Sequence, residues 1–155
     1  MTVAFTITTV DDRLAALVEP FAPSPSRRLA AMKELSDAGI PVGVLMMPIL
    51  PYIEDSPEGI DRLLESALRH GASFCFWHVG MTCREGQREY YYQKLDEHFP
   101  GLKARYLQRY RDRYGCASHR FVALHERIRE FCDDTGFITD FDSLLARSSA
   151  HPTVT

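Results

Sequence analysis

Apolar positions follow two alternating rhythms through the first half of the chain. Val3-Ala4-Phe5-Thr6-Ile7-Thr8 is rich in β-branched and aromatic residues and is bounded by Asp11-Asp12, which predicts a strand. A helix then opens at Ser24-Pro25, with Ser24 as N-cap and Pro25 in the first turn, where its missing N–H costs nothing. Leu29, Met32, Leu35 and Ala38 form its apolar stripe, and Gly39 suits a left-handed stop. Ile40-Pro41-Val42-Gly43-Val44-Leu45-Met46-Met47 follows as a nearly continuous apolar run, the pattern of a parallel strand covered on both faces. The unit repeats: Ser56-Pro57 caps a helix striped by Ile60, Leu63, Leu64, Ala67 and Leu68, Gly71 ends it, and Ser73 to Val79 reads as a third strand. Strand, helix, strand, helix, strand with short helix-to-strand joints predicts right-handed βαβ units and a parallel sheet.

Beyond Gly80 the period becomes helical. The spacing predicts helices over Glu85 to His98, Leu102 to Tyr114, and about His119 to Asp134, the last capped by Ser118. The tail from Ser148 to Thr155 is small and polar and is expected to fray. Three parallel strands leave two unpaired edges, and either can recruit another strand. With Met1 directly against the first strand, the expectation is a piece of a larger α/β structure, or a chain that pairs with a partner.

Composition narrows the function classes. The chain has 155 residues, 45% of them hydrophobic, enough for one core and one domain. Its formal net charge of −3 comes from interleaved acidic and basic residues, so no patch for nucleic acid or anionic membrane is expected. The first residues lack the basic and apolar regions of a signal peptide, and no apolar run approaches the roughly 20 residues needed to span a bilayer. A soluble, cytoplasmic protein is expected. Cys75, Cys83, Cys116 and Cys132 show no C-x-x-C or C-x-x-x-C spacing, so no metal site is assigned, and buried free thiols are the expectation.

Chemistry on a parallel sheet belongs at the carboxyl ends of its strands. Alternation puts Phe5 and Ile7 toward the helices and leaves Thr6 and Thr8 facing a lumen, where their hydroxyls can bond a ligand. Threonine also favours strands on its own account, and spacing does not separate the two readings. Pro48-Ile49-Leu50-Pro51 is a stiff apolar exit that fits the edge and face of an adenine ring, or is a proline-rich loop with no ligand. His78 stands at the third strand's end, as scaffold or as substrate contact. Arg84 and Arg88, four apart, would share a helix face and hold an anion, although Glu85 and Glu89 beside them suit surface pairing. No Gly-rich phosphate loop, G-x-S-x-G elbow or H-E-x-x-H is present, and no catalytic residue is assigned.

Four segments in register resemble spore photoproduct lyase-like radical S-adenosylmethionine (SAM) proteins. Phe5-Thr6-Ile7-Thr8-Thr9 with Leu17 to Leu29 is similar to the family's fourth strand and following helix. Ala38 to Val44 through Pro48-Ile49-Leu50-Pro51-Tyr52-Ile53-Glu54-Asp55 resembles the fifth strand and its loop, and Gly80 to Tyr92 resembles the segment after the sixth. Tyr114-Gly115-Cys116-Ala117-Ser118 resembles a further stretch of the same group. The likeness covers roughly residues 3 to 138.

The resemblance implies an α/β fold: a partial (βα) barrel with three parallel strands over residues 1–80, a helical extension over 81–147, and a flexible tail over 148–155. It implies SAM as cofactor, with Thr6 and Thr8 on the ribose, Pro48, Ile49 and Leu50 around the adenine, and Arg28 toward the carboxylate. Family members cleave SAM reductively with a [4Fe–4S] cluster held by a C-x-x-x-C-x-x-C loop. That loop and the first three strands have no counterpart here, Phe21 stands where arginine is frequent, and Cys83 where an aliphatic residue is. The cluster is therefore not expected in this chain, and the isolated chain should not perform radical chemistry. The implied partner is the missing N-terminal half-barrel or a second copy. The alternatives are a non-catalytic half-barrel that associates through its sheet edge, and a small adenosine-binding module.

Overall fold

The computed structural model describes residues 1–149. Three strands, β1 (Val3–Thr6), β2 (Val42–Met46) and β3 (Ala72–Trp77), form one parallel sheet in the order β1-β2-β3. Between them run α1 (Asp12–Val18) and α2 (Pro25–Asp37), and then α3 (Pro57–Arg69). The two predicted serine caps form as expected. Ser24 Oγ accepts from the Arg27 N–H and Ser56 Oγ from the Gly59 N–H, each with a proline in the first helical turn. Gly39 (φ 77°) and Gly71 (φ 85°) turn the chain out of α2 and α3 in the left-handed region that glycine enters without strain.

The sheet's helix-covered face holds the main core. Ile7, Val42, Val44 and Met46 pack against Leu29 and Met32 of α2 and Ile60, Leu63, Leu64 and Ala67 of α3, with Phe5 at the margin. This is the face that alternation assigned to Phe5 and Ile7. The strands do not close into a barrel, and among the described residues the sheet is open. On its other face, Ala4, Leu45, Phe74 and Phe76 meet Phe141 and Leu144 of a C-terminal helix, α7 (Phe141–Ser149).

The second half is helical with one exception. A two-stranded antiparallel ribbon of β4 (Gly80–Thr82) and β5 (Gly115–Ala117) encloses α4 (Gln87–His98) and α5 (Leu102–Tyr110). These helices form a second core around the fully buried Tyr106, while α6 (Phe121–Thr135) crosses back onto the first through Leu124, Ile128 and Cys132. After α6, Ile138 bridges Phe74 in parallel, so the outer edge of β3 is partly paired.

Several boundaries depart from the expected ones. The helix predicted to reach Tyr114 stops at Tyr110, because Tyr114 is carried into the turn before β5, where its carbonyl accepts from the Cys83 N–H at 2.7 Å. Ser118 does not cap α6 as its N-cap residue. Arg120 holds that position, and the Ser118 hydroxyl accepts from the Arg120 N–H instead. The predicted tail starts two residues too early, since Ser148 and Ser149 complete α7, and the remainder of that expectation lies outside the described residues.

Candidate functional site

A cavity of about 510 Å3 opens where the three strands end. Each βα unit contributes its exit: Thr8 after β1, Met47, Pro48 and Leu50 after β2, and His78 after β3. Val18 and Glu19 from the end of α1, Met81 and Thr82 from β4, and Tyr91 from α4 complete the wall. The apolar majority and the few convergent polar groups are the make-up of a small-molecule site.

The segment from Pro48 to Asp55 is the element that shapes it. Its backbone is tied to the third strand's exit by the Ile49 N–H to the His78 carbonyl (3.0 Å), and to the helical half by the Tyr106 hydroxyl, which donates to the Pro51 carbonyl at 2.7 Å. Leu50 then closes a turn, accepting on its carbonyl from the Ile53 and Glu54 N–H groups. That turn swings Glu54 inward. Its carboxyl accepts from the Thr8 hydroxyl on Oε1 (2.6 Å) and from the Leu50 N–H on Oε2 (3.0 Å), and only 5% of the residue is exposed. Burial drives its pKa from the usual 4.5 up to about 7, against the pull of the two hydrogen bonds, with Glu19 and Asp55 adding repulsion.

Asp55, next in sequence, looks the other way. It accepts a short hydrogen bond from the Ser118 hydroxyl, and His119 Nδ1 stands 3.6 Å from the same carboxylate oxygen. His119 also stacks on Tyr52 at 4.7 Å, and the Arg105 guanidinium lies 4.5 Å from that ring's centre. These contacts clamp the cavity's shaping loop against the start of α6 and against α5. The two adjacent carboxyls thus divide the work: one faces the cavity and one fixes the scaffold.

The sequence-predicted residues separate into two groups. Thr8, Pro48, Leu50 and His78 come together around the cavity. Thr6 is exposed, its side chain is not part of the cavity wall, and its carbonyl accepts from Arg28 at 2.6 Å. Arg28 itself pairs with Glu19 at 2.7 Å and donates to the Pro23 carbonyl, so it braces the cavity rim through Glu19 rather than reaching inside. Ile49 is fully buried in the main core, because its side chain points to the helices while its backbone faces the cavity side. Arg84 precedes α4 and does not share a helix face with Arg88; it stands beside Tyr114, whose hydroxyl it draws below the ordinary tyrosine range. Arg88 is spent on the carbonyls of Cys83, Asp112 and Arg113, which it gathers at 3.0 to 3.1 Å. Neither arginine lines the cavity.

Sequence reasoning missed Glu54, Glu19 and Tyr91. Glu54 carried a usable signal: with Asp55 it ends an apolar, proline-bracketed run, where burial follows if the run is buried. Glu19 and Tyr91 reach the site only through α1 and α4, whose placement no spacing revealed.

The four cysteines lie as two pairs in two separate cores, Cys75 with Cys132 and Cys83 with Cys116. The Cys75 thiol is raised well above the ordinary range by its hydrogen bond with Cys132 and by burial, and burial pushes Cys116 to about 11. A [4Fe–4S] cluster needs its cysteine ligands gathered around one centre, so thiols divided between two cores do not fit it. Among the described residues no group of three or more His, Cys, Asp or Glu side chains is arranged to hold a metal ion. No described helix is long and apolar enough to cross a membrane.

No known family profile matches the chain, and no solved structure does. The chain is similar to an uncharacterized protein of Mycobacterium tuberculosis, with 32% identity over 111 residues, covering 72% of this chain and 32% of that protein. An uncharacterized protein of Mycobacterium bovis matches to the same extent. One from Acidianus two-tailed virus is 30% identical over 73 residues, covering 45% of this chain and 24% of its own length. The chain thus spans about a third of the length of the mycobacterial relatives it matches.

Proposed function

We propose that this chain is the nucleoside-binding part of a radical SAM barrel: it holds the adenosyl end of SAM at its strand ends and is inactive in radical chemistry by itself. The observation that carries the reading is the convergence of three consecutive βα exits, through Thr8, Pro48, Leu50 and His78, on one apolar cavity with a buried carboxyl at its base. The residues present fit the group. Met47, Pro48 and Leu50 offer flat apolar contact for a purine, and Thr8, Glu54 and His78 offer polar partners for a ribose. Matching only a third of its longer relatives supports a part of a larger whole. When bound beside a reducing cluster, SAM supplies a sulfonium whose cleavage yields a radical, but this chain's cysteines do not fit such a cluster. The chain's own contribution is to bind and orient the nucleoside and to exclude water from it.

The test is equilibrium binding of SAM, S-adenosylhomocysteine, adenosine and methionine, followed by chemical-shift changes. The three adenosyl compounds are expected to bind alike and methionine not at all, because every contact proposed is to the nucleoside. Leu50→Arg, which places a charge in the apolar wall, is expected to abolish all three. Absence of binding by every adenosyl compound overturns the reading.

One observation favours a second reading, a non-catalytic half-barrel that associates through its edge. Among the described residues, β1 pairs only with β2. Since Val3 and Ile7 donate to Pro41 and Leu45 across that ladder, the Ala4 and Thr6 N–H groups point outward. Ala4→Pro removes one outward donor and spares the inner ladder. Under this reading it converts a dimer seen by sedimentation into monomer, whereas a wild type that is monomeric at micromolar concentration removes the reading.

A further inference from the structure

We infer that Glu54 is the proton-linked recognition group of the cavity: its carboxylate accepts hydrogen bonds from the vicinal hydroxyls of a ribose, so that ribonucleoside binding strengthens with rising pH. This deepens the nucleoside reading and rests on it.

The geometry supplies the acceptors. A carboxylate has about four lone-pair directions on two oxygens, and Thr8 and the Leu50 N–H occupy one on each. One direction remains on each oxygen, which is the pattern that two adjacent hydroxyls satisfy. Both occupied partners are donors, so they select the ionised form as the acceptor, and Thr8 and Leu50 pin the group so that little rotamer freedom is lost on binding. Among the described residues no cation pairs with Glu54: Arg28 reaches Glu19 at the rim, and the nearby charges that act on Glu54, Glu19 and the outward-turned Asp55, are negative. Tyr91 faces it from α4 with its hydroxyl donated to Tyr106, and His78 lines the same cavity from the β3 exit. The carboxylate is therefore short of donors in the free chain, and a ligand's hydroxyls supply them. A ligand that merely filled the apolar walls would leave this deficit in place.

Burial poises Glu54 near pH 7. For a ligand that binds only the ionised form, affinity follows the ionised fraction, which rises from about one in eleven at pH 6 to about ten in eleven at pH 8, or about tenfold. Adenosine carries no charge of its own across this range, which makes it the probe.

The experiment titrates adenosine and 2′-deoxyadenosine into the chain at pH 6, 7 and 8, by calorimetry or chemical-shift change. Adenosine affinity is expected to rise about tenfold from pH 6 to pH 8. 2′-Deoxyadenosine, lacking one donor, is expected to bind more weakly at pH 8 and with a flatter profile. Glu54→Gln is expected to flatten the adenosine profile, and because histidine also changes charge near neutrality, His78→Gln must retain the slope. Adenosine binding of constant strength from pH 6 to 8, or equal affinity for the deoxy compound at pH 8, overturns the role of Glu54 and leaves the nucleoside site standing. No adenosine binding at any pH overturns both. The deoxy comparison uses the wild-type chain and holds even where Glu54→Gln fails to fold.

Discussion

Gly43→Ala is expected to destabilise the chain by about 3 kcal/mol, a fall in melting temperature of about 6–12 °C for a domain of this size. Gly43 lies in the central strand β2, paired on both sides. Across from it the ladder slips: Val42 pairs with Ala72 but Val44 pairs with Cys75, so β3 carries one extra residue over Ser73-Phe74. That bulge turns the Phe74 ring onto Gly43. A Cβ at position 43 would stand 2.4 to 2.5 Å from three atoms of the ring, well inside contact distance. The ring has little room to retreat, since Phe74 is 1% exposed, packs on Phe76 at 5.9 Å, and its backbone is bridged by Ile138. Overpacking of this kind is relieved by moving backbone, and here that means the sheet. Phe74→Leu in the Gly43→Ala background is expected to restore part of the loss, because a smaller side chain vacates the space. A Gly43→Ala chain that melts within about 2 °C of wild type would show that the ring moves freely.

The same glycine shows how much of the fold was legible. A glycine inside an apolar run reads as strand, and the strand is there, but its partner's bulge depends on a residue 31 positions away. Local signals were sufficient for β1, β2, β3, α2 and α3, because serine caps, prolines in first turns and glycine stops all act within a few residues. The helix α1 was overlooked although Asp11 announced it: Asp11 Oδ1 accepts from the Arg13 and Leu14 N–H groups as an N-cap should. Asp11-Asp12 equally suits the end of a strand, since both roles use the same residue type. The ribbon of β4 and β5 is three residues per strand, too short for any period to register, and its pairing spans residues 80 to 117. The site followed the same rule. Thr8, Pro48, Leu50 and His78 sit directly at strand ends and were found from the strand pattern. Ile49 falls on the other side because adjacent residues in a loop point to opposite sides, and Arg84 and Arg88 do not align because α4 begins at Gln87, three residues after Arg84. Glu54 reaches the cavity only through the turn that Leu50 closes, which no spacing rule describes.

Glu54 also sets the second large expectation, that the chain loses stability as pH rises toward neutrality. Its folded-state pKa is raised, to about 7 from about 4.5, so between these values the folded chain holds a proton that the unfolded chain has released. Stability changes with pH as the difference in protons bound, unfolded minus folded, and here that difference is negative. The folded state is therefore favoured below about pH 4.5, loses this advantage progressively through the window, and reaches a floor above about pH 8. At 1.36 kcal/mol for each pH unit, the gap corresponds to about 3 kcal/mol in total. The carboxylates with lowered values act elsewhere and with the opposite sign. Asp12 is held down by its hydrogen bonds from Ser26, Asp61 by Arg127 and Asp140 by Ser143, so what they contribute is present above the ordinary aspartate range and lost as pH falls. Their window lies below that of Glu54. The measurement is urea unfolding of wild type and Glu54→Gln at half-unit steps from pH 4.5 to 8.5, taking the difference between the two curves. Glutamine keeps an acceptor for Thr8 and leaves the Leu50 N–H without one, a roughly constant cost that does not alter the slope. The wild type is expected to fall relative to the variant by about 3 kcal/mol across the window. Parallel curves would mean that Glu54 ionises as a solvated carboxyl does, and would remove the proton-linked role along with the instability. Added adenosine provides the complementary arm: by binding the ionised form it should recover stability above pH 7 and do little below pH 6.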